Sequence, residues 1–181
     1  MDIDFILPQL YRLISQVESF NSCDRATVRT SDSAIRFAIS RETNRFPVLS
    51  LEIWCSELDE RLLPLAQVCS AFFPLSTLIQ LDIVDDVFRL HWKYDMDATQ
   101  WLEFLDPFTA VKDLRLSDQA ARHVFQAWEE LADERVTEVL PALQNIFLEG
   151  LEPLESVPKY IEGFVAARQL SGHPVAVHRW E

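Results

Sequence analysis

Glycine and cysteine are both scarce in this sequence, which has three of each among 181 residues. The glycines are too few to form the glycine-rich loop with which many proteins hold phosphate groups. No uninterrupted apolar stretch reaches the roughly 18 residues of a membrane-spanning helix. The cysteines, Cys23, Cys55 and Cys69, stand far apart in apolar surroundings and at no metal-ligand spacing. They predict reduced core thiols in an intracellular protein.

Basic residues are scarce as well, because 16 lysines and arginines stand against 29 aspartates and glutamates, for a net charge of −13. Nucleic acids and anionic membranes attract clustered basic residues, so we expect neither as a partner. A basic partner would suit this charge, and so would a surface that only maintains solubility. Asp2 and Asp4 stand where a secretory signal carries lysine or arginine, so we expect no targeting segment and a cytoplasmic or nuclear location.

The composition is that of a globular protein, with 49% apolar and 25% charged residues. A chain of this length buries about 70% of its unfolded surface as one domain. An apolar stripe at helical spacing through residues 1–22 predicts a leading helix. A strand-rich segment follows at 23–54, and alternating strands and helices fill 55–181, all within a single domain over 1–181.

The individual elements follow from apolar periodicity and from the turn residues between the runs. Within the strand-rich segment, strands are predicted at 26–30, 34–40 and 48–54. After it come, in chain order, a helix through 62–72, a strand at 78–84, a loop at 85–97, a helix around 101–105, a strand at 111–117, a helix from 121 to 140, a strand at 143–149, a helix at 160–167 and a strand at 174–180. Gly172 stands where a glycine ends a helix.

One apolar phrase recurs in the strands, with apolar residues at its first, fourth and sixth positions. It occurs as Val48/Leu51/Ile53, Leu78/Leu81/Ile83, Val111/Leu114/Leu116 and Leu143/Ile146/Leu148, and more loosely as Gly172/Val175/Val177. These units begin 30, 33, 32 and 29 residues apart. A strand and a helix repeated at a nearly fixed period predict a solenoid whose units share one core, and helical crossovers require parallel strands.

The predicted fold class is therefore α/β. We expect an irregular leucine-rich-repeat-like solenoid of strand–helix units with a mainly parallel sheet. Two points stay open at this stage. The sheet can be mixed near residues 26–54, and an ordinary α/β sheet with helices on one face would also fit the pattern.

A family resemblance is carried by the stretches “DRATVRTSDSAIRFAIS”, “IWCSELDERLLPLAQVC”, “PLSTLIQLDI”, “TQWLEFLDPFTAVKDLRLS”, “ERVTEVLPALQNIFLEGL” and “FVAARQLSGHPVAVHRW”. From residue 20 to the end, the chain resembles the C-terminal part of a large basidiomycete fungal family. Proteins of that family carry an F-box-like segment followed by irregular leucine-rich repeats. The resemblance implies a solenoid and a role in protein–protein interaction, and it implies no catalytic residue and no cofactor.

The front of the chain departs from that family. An F-box is a group of helices built around an opening such as L-P-x-E-L-L, whereas “LPQLYRLI” at 7–14 has Leu10 where the acidic residue belongs. Strand patterns begin by Ala26, which leaves no room for such a group of helices. We therefore expect the leading helix to cap the repeats and the chain to be the repeat half of a family member, short or truncated. Binding to the ubiquitin-ligase adaptor is expected only if an F-box were present.

The strands also predict a binding surface, because side chains alternate between the two faces of a sheet. With the apolar phrase facing the core, the opposite, concave face shows the other positions. The predicted partner-binding residues are Glu52, Trp54, Gln80, Asp82, Asp113, Arg115, Asn145, Phe147 and Glu149. We expect this face to be largely acidic, with Glu52 beside Asp82, and to bind an unknown protein or peptide that brings basic and apolar groups. Alternatively, the loop at 85–97 covers its aromatic residues.

No catalytic, cofactor or metal site is predicted. The acidic loop at 85–97 would need a glycine and a glutamate to form a calcium-binding loop from Asp95, and Gln100 and Asp106 stand at those positions. We therefore predict a non-enzymatic protein-binding module that resembles the substrate-recognition half of a fungal F-box protein. Two alternatives stay open, a free-standing repeat protein that sequesters a partner and a small cytosolic hydrolase with a spatially assembled site.

Overall fold

The computed structural model describes residues 22–31, 34–41, 43, 47–54, 75–85, 98–129, 136–149 and 159–180. Its strands are β1 (Arg25–Thr30), β2 (Ala34–Ser40), β3 (Leu49–Trp54), β4 (Gln80–Asp85), β5 (Asp113–Leu116), β6 (Asn145–Glu149) and β7 (Ala176–Trp180). Its α-helices are α1 (Ala98–Leu105), α2 (Asp118–Glu129) and α3 (Lys159–Leu170). The helices predicted over 1–22 and 62–72, and the predicted loop beyond Asp85, lie outside the described residues.

The described strands form one sheet in the order β3-β2-β1-β4-β5-β6-β7. β1 runs parallel to β4, and parallel pairing continues through β5, β6 and β7. β1, β2 and β3 pair antiparallel at one end of the sheet. The protein is thus an α/β protein with a mainly parallel sheet. The antiparallel pairs fall near residues 26–54, where the sequence also allowed a mixed sheet.

One face of the sheet carries the hydrophobic core. Eight apolar side chains on the parallel strands are no more than 2% exposed and lie in two rows, Ala26, Leu81, Leu114 and Ile146 in one and Val28, Ile83, Leu116 and Leu148 in the other. Helix α2 packs on β4, β5 and β6, and α1 and α3 each pack against α2. The predicted inward positions of β4, β5 and β6 are confirmed.

Aromatic side chains connect neighbouring helices within this core. Trp128 of α2 stacks on Phe164 of α3, with ring centroids 4.1 Å apart. Phe125, one turn earlier in α2, meets Trp128 edge to face at 5.0 Å. Phe125 and Trp128 stand three residues apart on the apolar face of α2, and both belong to the core.

A hydrogen-bonded turn precedes three of the parallel strands. The amides of Leu78, Val111 and Leu143 each donate to the carbonyl three residues earlier in the chain. Leu78, Val111 and Leu143 therefore belong to turns, although their side chains are buried as predicted. As a result, β4, β5 and β6 each begin two residues later than the apolar pattern indicated.

The long helix predicted from 121 to 140 is too long. Helix α2 is described from Asp118 to Glu129, and residues 136–140 form turns and bends. Leu140 has a φ of 49°, which no right-handed helix contains. Pro141 follows it, and a proline disfavours helical backbone in the residue before it. The apolar spacing of this segment reflects burial and not helical structure.

Two units of the predicted repeat are wrong. In the first of them, Val48/Leu51/Ile53, Val48 precedes β3 and the other two residues lie on it. β3 runs antiparallel at the sheet edge and is separated from β4 by β2 and β1. In the tail, Val177 and not Val175 lies beside Ile146. The strand begins two residues later than the phrase predicts because residues 171–173 form the C-terminal cap of α3.

Helix α3 ends at a glycine cap, as predicted. The amide of His173 donates to the carbonyl of Arg168 at 2.9 Å, and the amide of Gly172 donates to that of Gln169 at 3.1 Å. Gly172 has a φ of 79°, in the left-handed region. This pair of bonds is the Schellman arrangement, which satisfies carbonyls that the helix leaves without partners.

Gly172→Ala is expected to lower the free energy of unfolding by about 1–2 kcal/mol, because a side chain is disfavoured at a left-handed φ. Steric clash adds nothing, since no atom lies within 4 Å of the new Cβ. Gly163→Ala, inside α3, is the matched control and also enters open space. It should raise the free energy of unfolding by about 0.5–1 kcal/mol. Urea unfolding tests both variants, and shifts of the same sign would contradict this reading of the cap.

Cys23 supports the predicted reduced core thiols for the one cysteine that the structure describes. It is not part of a disulfide bond and is 5% exposed. Burial raises the pKa of its thiol, so the neutral form predominates at neutral pH. Cys55 and Cys69 lie outside the described residues.

Candidate binding site on the open sheet face

The second face of the sheet carries the other side chains of the strands, and we call it the open face. Its described side chains are Arg25, Thr27 and Arg29 of β1, Ala34, Arg36, Ala38 and Ser40 of β2, Ser50 and Glu52 of β3, Gln80, Asp82 and Val84 of β4, Asp113 and Arg115 of β5, Asn145, Phe147 and Glu149 of β6, and Ala176, His178 and Trp180 of β7. The buried residues of the described helices belong to the core on the opposite face.

The prediction of a largely acidic face is wrong for the described residues. Four arginines, Arg25, Arg29, Arg36 and Arg115, balance four acidic residues, Glu52, Asp82, Asp113 and Glu149. Glu52 and Asp82 are not neighbours, because β2 and β1 stand between their strands. Glu52 instead pairs with Arg36, whose Nη2 lies 2.8 Å from its Oε2.

Asp82 is an enclosed acid at the centre of the open face, with 7% exposure. Its Oδ1 accepts a hydrogen bond from Gln80 Nε2 at 2.7 Å, and Gln80 Oε1 accepts one from Arg25 Nη2 at 2.9 Å. Arg25 Nε also lies 4.0 Å from Asp82 Oδ2. Burial raises the pKa of Asp82, and the bond from Gln80 and the nearby arginines only partly oppose that effect.

The pKa of Asp82 predicts a pH dependence of stability. Because the folded-state pKa is raised, the folded protein keeps this proton to a higher pH than the unfolded chain does. The contribution of Asp82 to the free energy of unfolding is therefore full below the unfolded pKa of about 4 and falls as pH rises through the folded pKa.

Asp82→Asn removes the titration and keeps an oxygen for the bond from Gln80. The free energy of unfolding of the parent minus that of the variant is expected to fall from about pH 4 to about pH 7 in urea unfolding. A rise over that range would contradict the raised pKa.

An aromatic and cationic layer occupies the β5–β7 end of the open face. The guanidinium carbon of Arg115 lies 5.2 Å from the ring centre of Phe147 and 5.9 Å from that of Trp180. Phe147 also stacks on His178 at 5.0 Å. Asn145 contacts His178 Nε2 at 3.2 Å and donates to Asp113 at 2.8 Å. The guanidinium group of Arg115 thus lies over two aromatic rings, and a planar cation is well suited to such packing.

A cavity of about 630 Å³ opens on this face. Its lining includes Arg25, Arg29 and Arg36 on two adjacent strands, Asp82 on β4 and Trp180 on β7. Ligand-binding pockets typically measure roughly 300–1,000 Å³, so the cavity has room for a ligand or for part of a peptide. Among the lining residues that the structure describes, three guanidinium groups stand against one carboxylate.

The predicted site residues fall into three groups. Gln80, Asp82, Asp113, Arg115, Asn145 and Phe147 lie together on β4, β5 and β6, with Glu149 at the end of β6. Glu52 lies apart from them on β3. The side chain of Trp54, and the loop predicted to cover the aromatic residues, lie outside the described residues.

The arginines of β1 and β2 were not predicted as members of this surface. A signal was present, because Cys23, Ala26 and Val28 repeat the apolar phrase at the same spacing as Leu78/Leu81/Ile83. Cys23 and Ala26 are small, so this occurrence of the phrase is less evident than those built from leucine and isoleucine. Arg36 could have been found from the alternation in “AIRFAIS”, where it stands between two inward residues.

Fold and site together define an α/β protein whose described helices lie on one face of the sheet and whose other face carries a cavity with three arginines among its described lining residues. Comparisons with protein-family models, with curated proteins and with solved structures found no match. Within the described ranges, no three histidine, cysteine, aspartate or glutamate side chains gather as metal ligands would. None of the helices that the structure describes is long and apolar enough to cross a membrane.

Proposed function

We propose that this protein is a non-enzymatic protein-binding module that engages its partner through the open face. The observation that carries the proposal is the cavity of about 630 Å³ on that face, lined by arginines and bordered by Trp180. Arginine and aromatic side chains are the groups that most often anchor protein interfaces. We place the protein inside the cell, in the cytoplasm or nucleus, in keeping with the reduced thiol of Cys23.

We further propose that the strand–helix units form an irregular leucine-rich-repeat-like solenoid, resembling the repeat half of a fungal F-box protein. Recurring backbone hydrogen bonds at the start of the parallel strands support this. The carbonyl of Ile79 accepts the amides of Lys112 and Asp113, and the carbonyl of Lys112 accepts those of Gln144 and Asn145. The same bonding is thus repeated at the interval of the apolar phrase. Such nearest-neighbour repetition is typical of repeat proteins.

The lining of the cavity favours binding over hydrolysis. Hydrolases of the nucleophile-and-base type need a serine, threonine or cysteine within hydrogen-bond reach of a base such as histidine. Among the described residues that line the cavity, hydroxyl groups occur, but histidine and cysteine do not. Asp82, the carboxylate in the lining, is already bonded to Gln80. A free-standing protein that sequesters its partner would use the same surface.

Site-specific photocrosslinking in cells of the source organism tests the proposal. A benzoyl-phenylalanine in place of Phe147 puts the reactive ring on the open face, and the same residue in place of Gln126 puts it on the exposed surface of α2. We expect a partner protein to crosslink from position 147 and not from position 126. The interaction should then be reproduced with the purified partner. Crosslinking from position 126 alone would place the binding surface on the helices and contradict the proposal.

A further inference from the structure

We propose that Arg115 binds a carboxylate side chain of the partner protein, and that the apolar neighbours of that carboxylate pack on Phe147 and Trp180. This inference rests on the proposed function and names the chemistry that the partner brings to the open face. A carboxylate-bearing segment differs from the basic partner that a largely acidic sheet face would have suited.

Aromatic rings, and not hydrogen bonds, hold the side chain of Arg115. Its guanidinium carbon lies 5.2 Å from the ring centre of Phe147 and 5.9 Å from that of Trp180. Within the part of the chain that the structure describes, this guanidinium group has no hydrogen-bond acceptor and no ion-pair partner. Cation–π contacts with ring faces leave the N–H donors of a guanidinium group unused. The group is thus positioned by the rings while its donors remain available.

The Nη groups of Arg115 are the donors that a ligand can reach. Its Nε is enclosed and makes no hydrogen bond. The side chain as a whole is partly exposed, and both Nη groups reach its surface. A carboxylate accepts from both ends of such a fork through its two oxygens, which is the stronger form of charge-assisted hydrogen bond.

The acidic side chains beside Arg115 have other partners. Asp82 stands directly beside it on β4 and accepts a hydrogen bond from Gln80 at 2.7 Å. Asp113, two residues earlier on β5, accepts one from Asn145 at 2.8 Å. Neither of these carboxylates forms an ion pair with Arg115. An acceptor for the guanidinium group therefore comes from the solvent or from a bound molecule.

The surroundings of Arg115 favour a protein partner over a free small anion. Trp180 contacts Arg115 and also lines the cavity, so a segment that fills the cavity would extend to Arg115. Phe147 and Trp180 are partly exposed and offer apolar surface on both sides of the guanidinium group. Arginine and tryptophan are enriched among the residues that dominate binding at protein interfaces.

The neighbouring charges favour a carboxylate over a phosphate group. Asp82 and Asp113 lie on the same face as Arg115, and the chain as a whole has a net charge of −13. A carboxylate carries a single negative charge, whereas a phosphorylated side chain carries about −1.5 to −2 at neutral pH. The smaller charge meets less repulsion from these surroundings while it still neutralises one guanidinium group.

NMR titration of the labelled protein with two pentapeptides tests the inference. Both peptides have uncharged ends, and their central residue, a glutamate or a glutamine, is flanked by leucines. Binding is followed at the Nε–H signal of Arg115 and at the amide of Phe147. The net charge of −13 alone favours the glutamine peptide, so a preference for glutamate reports the local site. We expect the glutamate peptide to bind about fivefold or more tightly, by a margin that shrinks as salt increases.

Substitution of Arg115 identifies the binding place. Arg115→Gln should abolish the preference, so that the two peptides bind within about twofold of each other. Arg115→Lys keeps the charge but lacks the planar fork, and it should weaken the preference. It is also the deciding variant if Arg115→Gln does not fold. Arg122→Gln is the matched control, because it removes the same charge from a side chain of α2 that is 59% exposed. It should leave the preference unchanged.

Three results would overturn the inference. The glutamate peptide causes no shifts at millimolar concentration or binds no better than the glutamine peptide. The preference for glutamate persists in Arg115→Gln, or Arg122→Gln reduces it as much. A third peptide, with phosphoserine at the centre, binds more tightly than the glutamate peptide. In each case the open face remains the proposed binding surface and only the carboxylate at Arg115 is wrong, whereas a failure of the proposed function would appear as a crosslink from position 126 alone.

Discussion

Leu114→Ala and Leu148→Ala are each expected to lower the free energy of unfolding by about 2–5 kcal/mol, as the loss of a leucine side chain in a packed core does. Leu114 on β5 is 0% exposed and Leu148 on β6 is 2% exposed. Both lie in the core rows between their strand neighbours and the helices. Neighbouring strands and helices hold these sites, so they have little freedom to collapse around the missing atoms.

Urea unfolding measures these changes, and Leu170→Ala is the matched control. Leu170 is 89% exposed at the end of α3, so its truncation should change the free energy of unfolding by no more than about 0.5 kcal/mol. Changes below about 0.5 kcal/mol at both Leu114 and Leu148 would show that the inward positions of the sheet are assigned to the wrong face.

Arg168→Ala is expected to lower the free energy of unfolding by about 3 kcal/mol or more. Arg168 is 0% exposed and donates to the carbonyls of Val136, Leu140 and Leu143 at 3.3, 3.4 and 3.1 Å. A buried acceptor left without a donor costs about 1–3 kcal/mol, and this substitution removes a donor from all of these carbonyls. Burial lowers the pKa of Arg168, and the loss of that desolvation cost offsets only part of the effect.

Hydrogen exchange separates this role from a general loss of stability. Arg168 holds the turn in which the amide of Leu143 donates to Leu140, whose left-handed backbone is strained for a leucine. The amide of Leu143 should therefore exchange faster in Arg168→Ala under native conditions, beyond the change in global stability. Arg122→Ala, at an exposed ion pair on α2, should alter neither quantity by much. Unchanged exchange at Leu143 would contradict the role of Arg168 in this turn.

Strand positions and the core face could be read from the sequence, because both are set by local alternation of apolar residues. The inward side chains of β4, β5 and β6 follow directly from their phrase. The direction and neighbours of a strand are not encoded in that phrase. The unit at β3 has the same apolar spacing, and β3 nevertheless runs antiparallel at the sheet edge. The chain reverses direction between β1 and β2 and again between β2 and β3, so each of these pairs is antiparallel.

The cavity could not be read from the sequence for a related reason. It depends on β1 lying beside β4, a pairing that joins Arg25 to Gln80 across 55 residues of chain. Local spacing carries no information about such a contact. Once β1 stands next to β4, alternation within β1 places Arg25 beside Gln80, Thr27 beside Asp82 and Arg29 beside Val84. The basic side chains of β1 then replace the acidic surface that β4 beside β3 would have formed.

Amide chemical-shift mapping with the purified partner that crosslinks from position 147 tests most directly that the open face is the binding surface. The amides with the largest shifts are predicted to cluster on β1, β2 and β4, around Thr27, Arg36 and Asp82, while those of α2 and α3 stay in place. Shifts centred on α2 or α3, with the amides of the open face unchanged, would contradict the proposed binding surface.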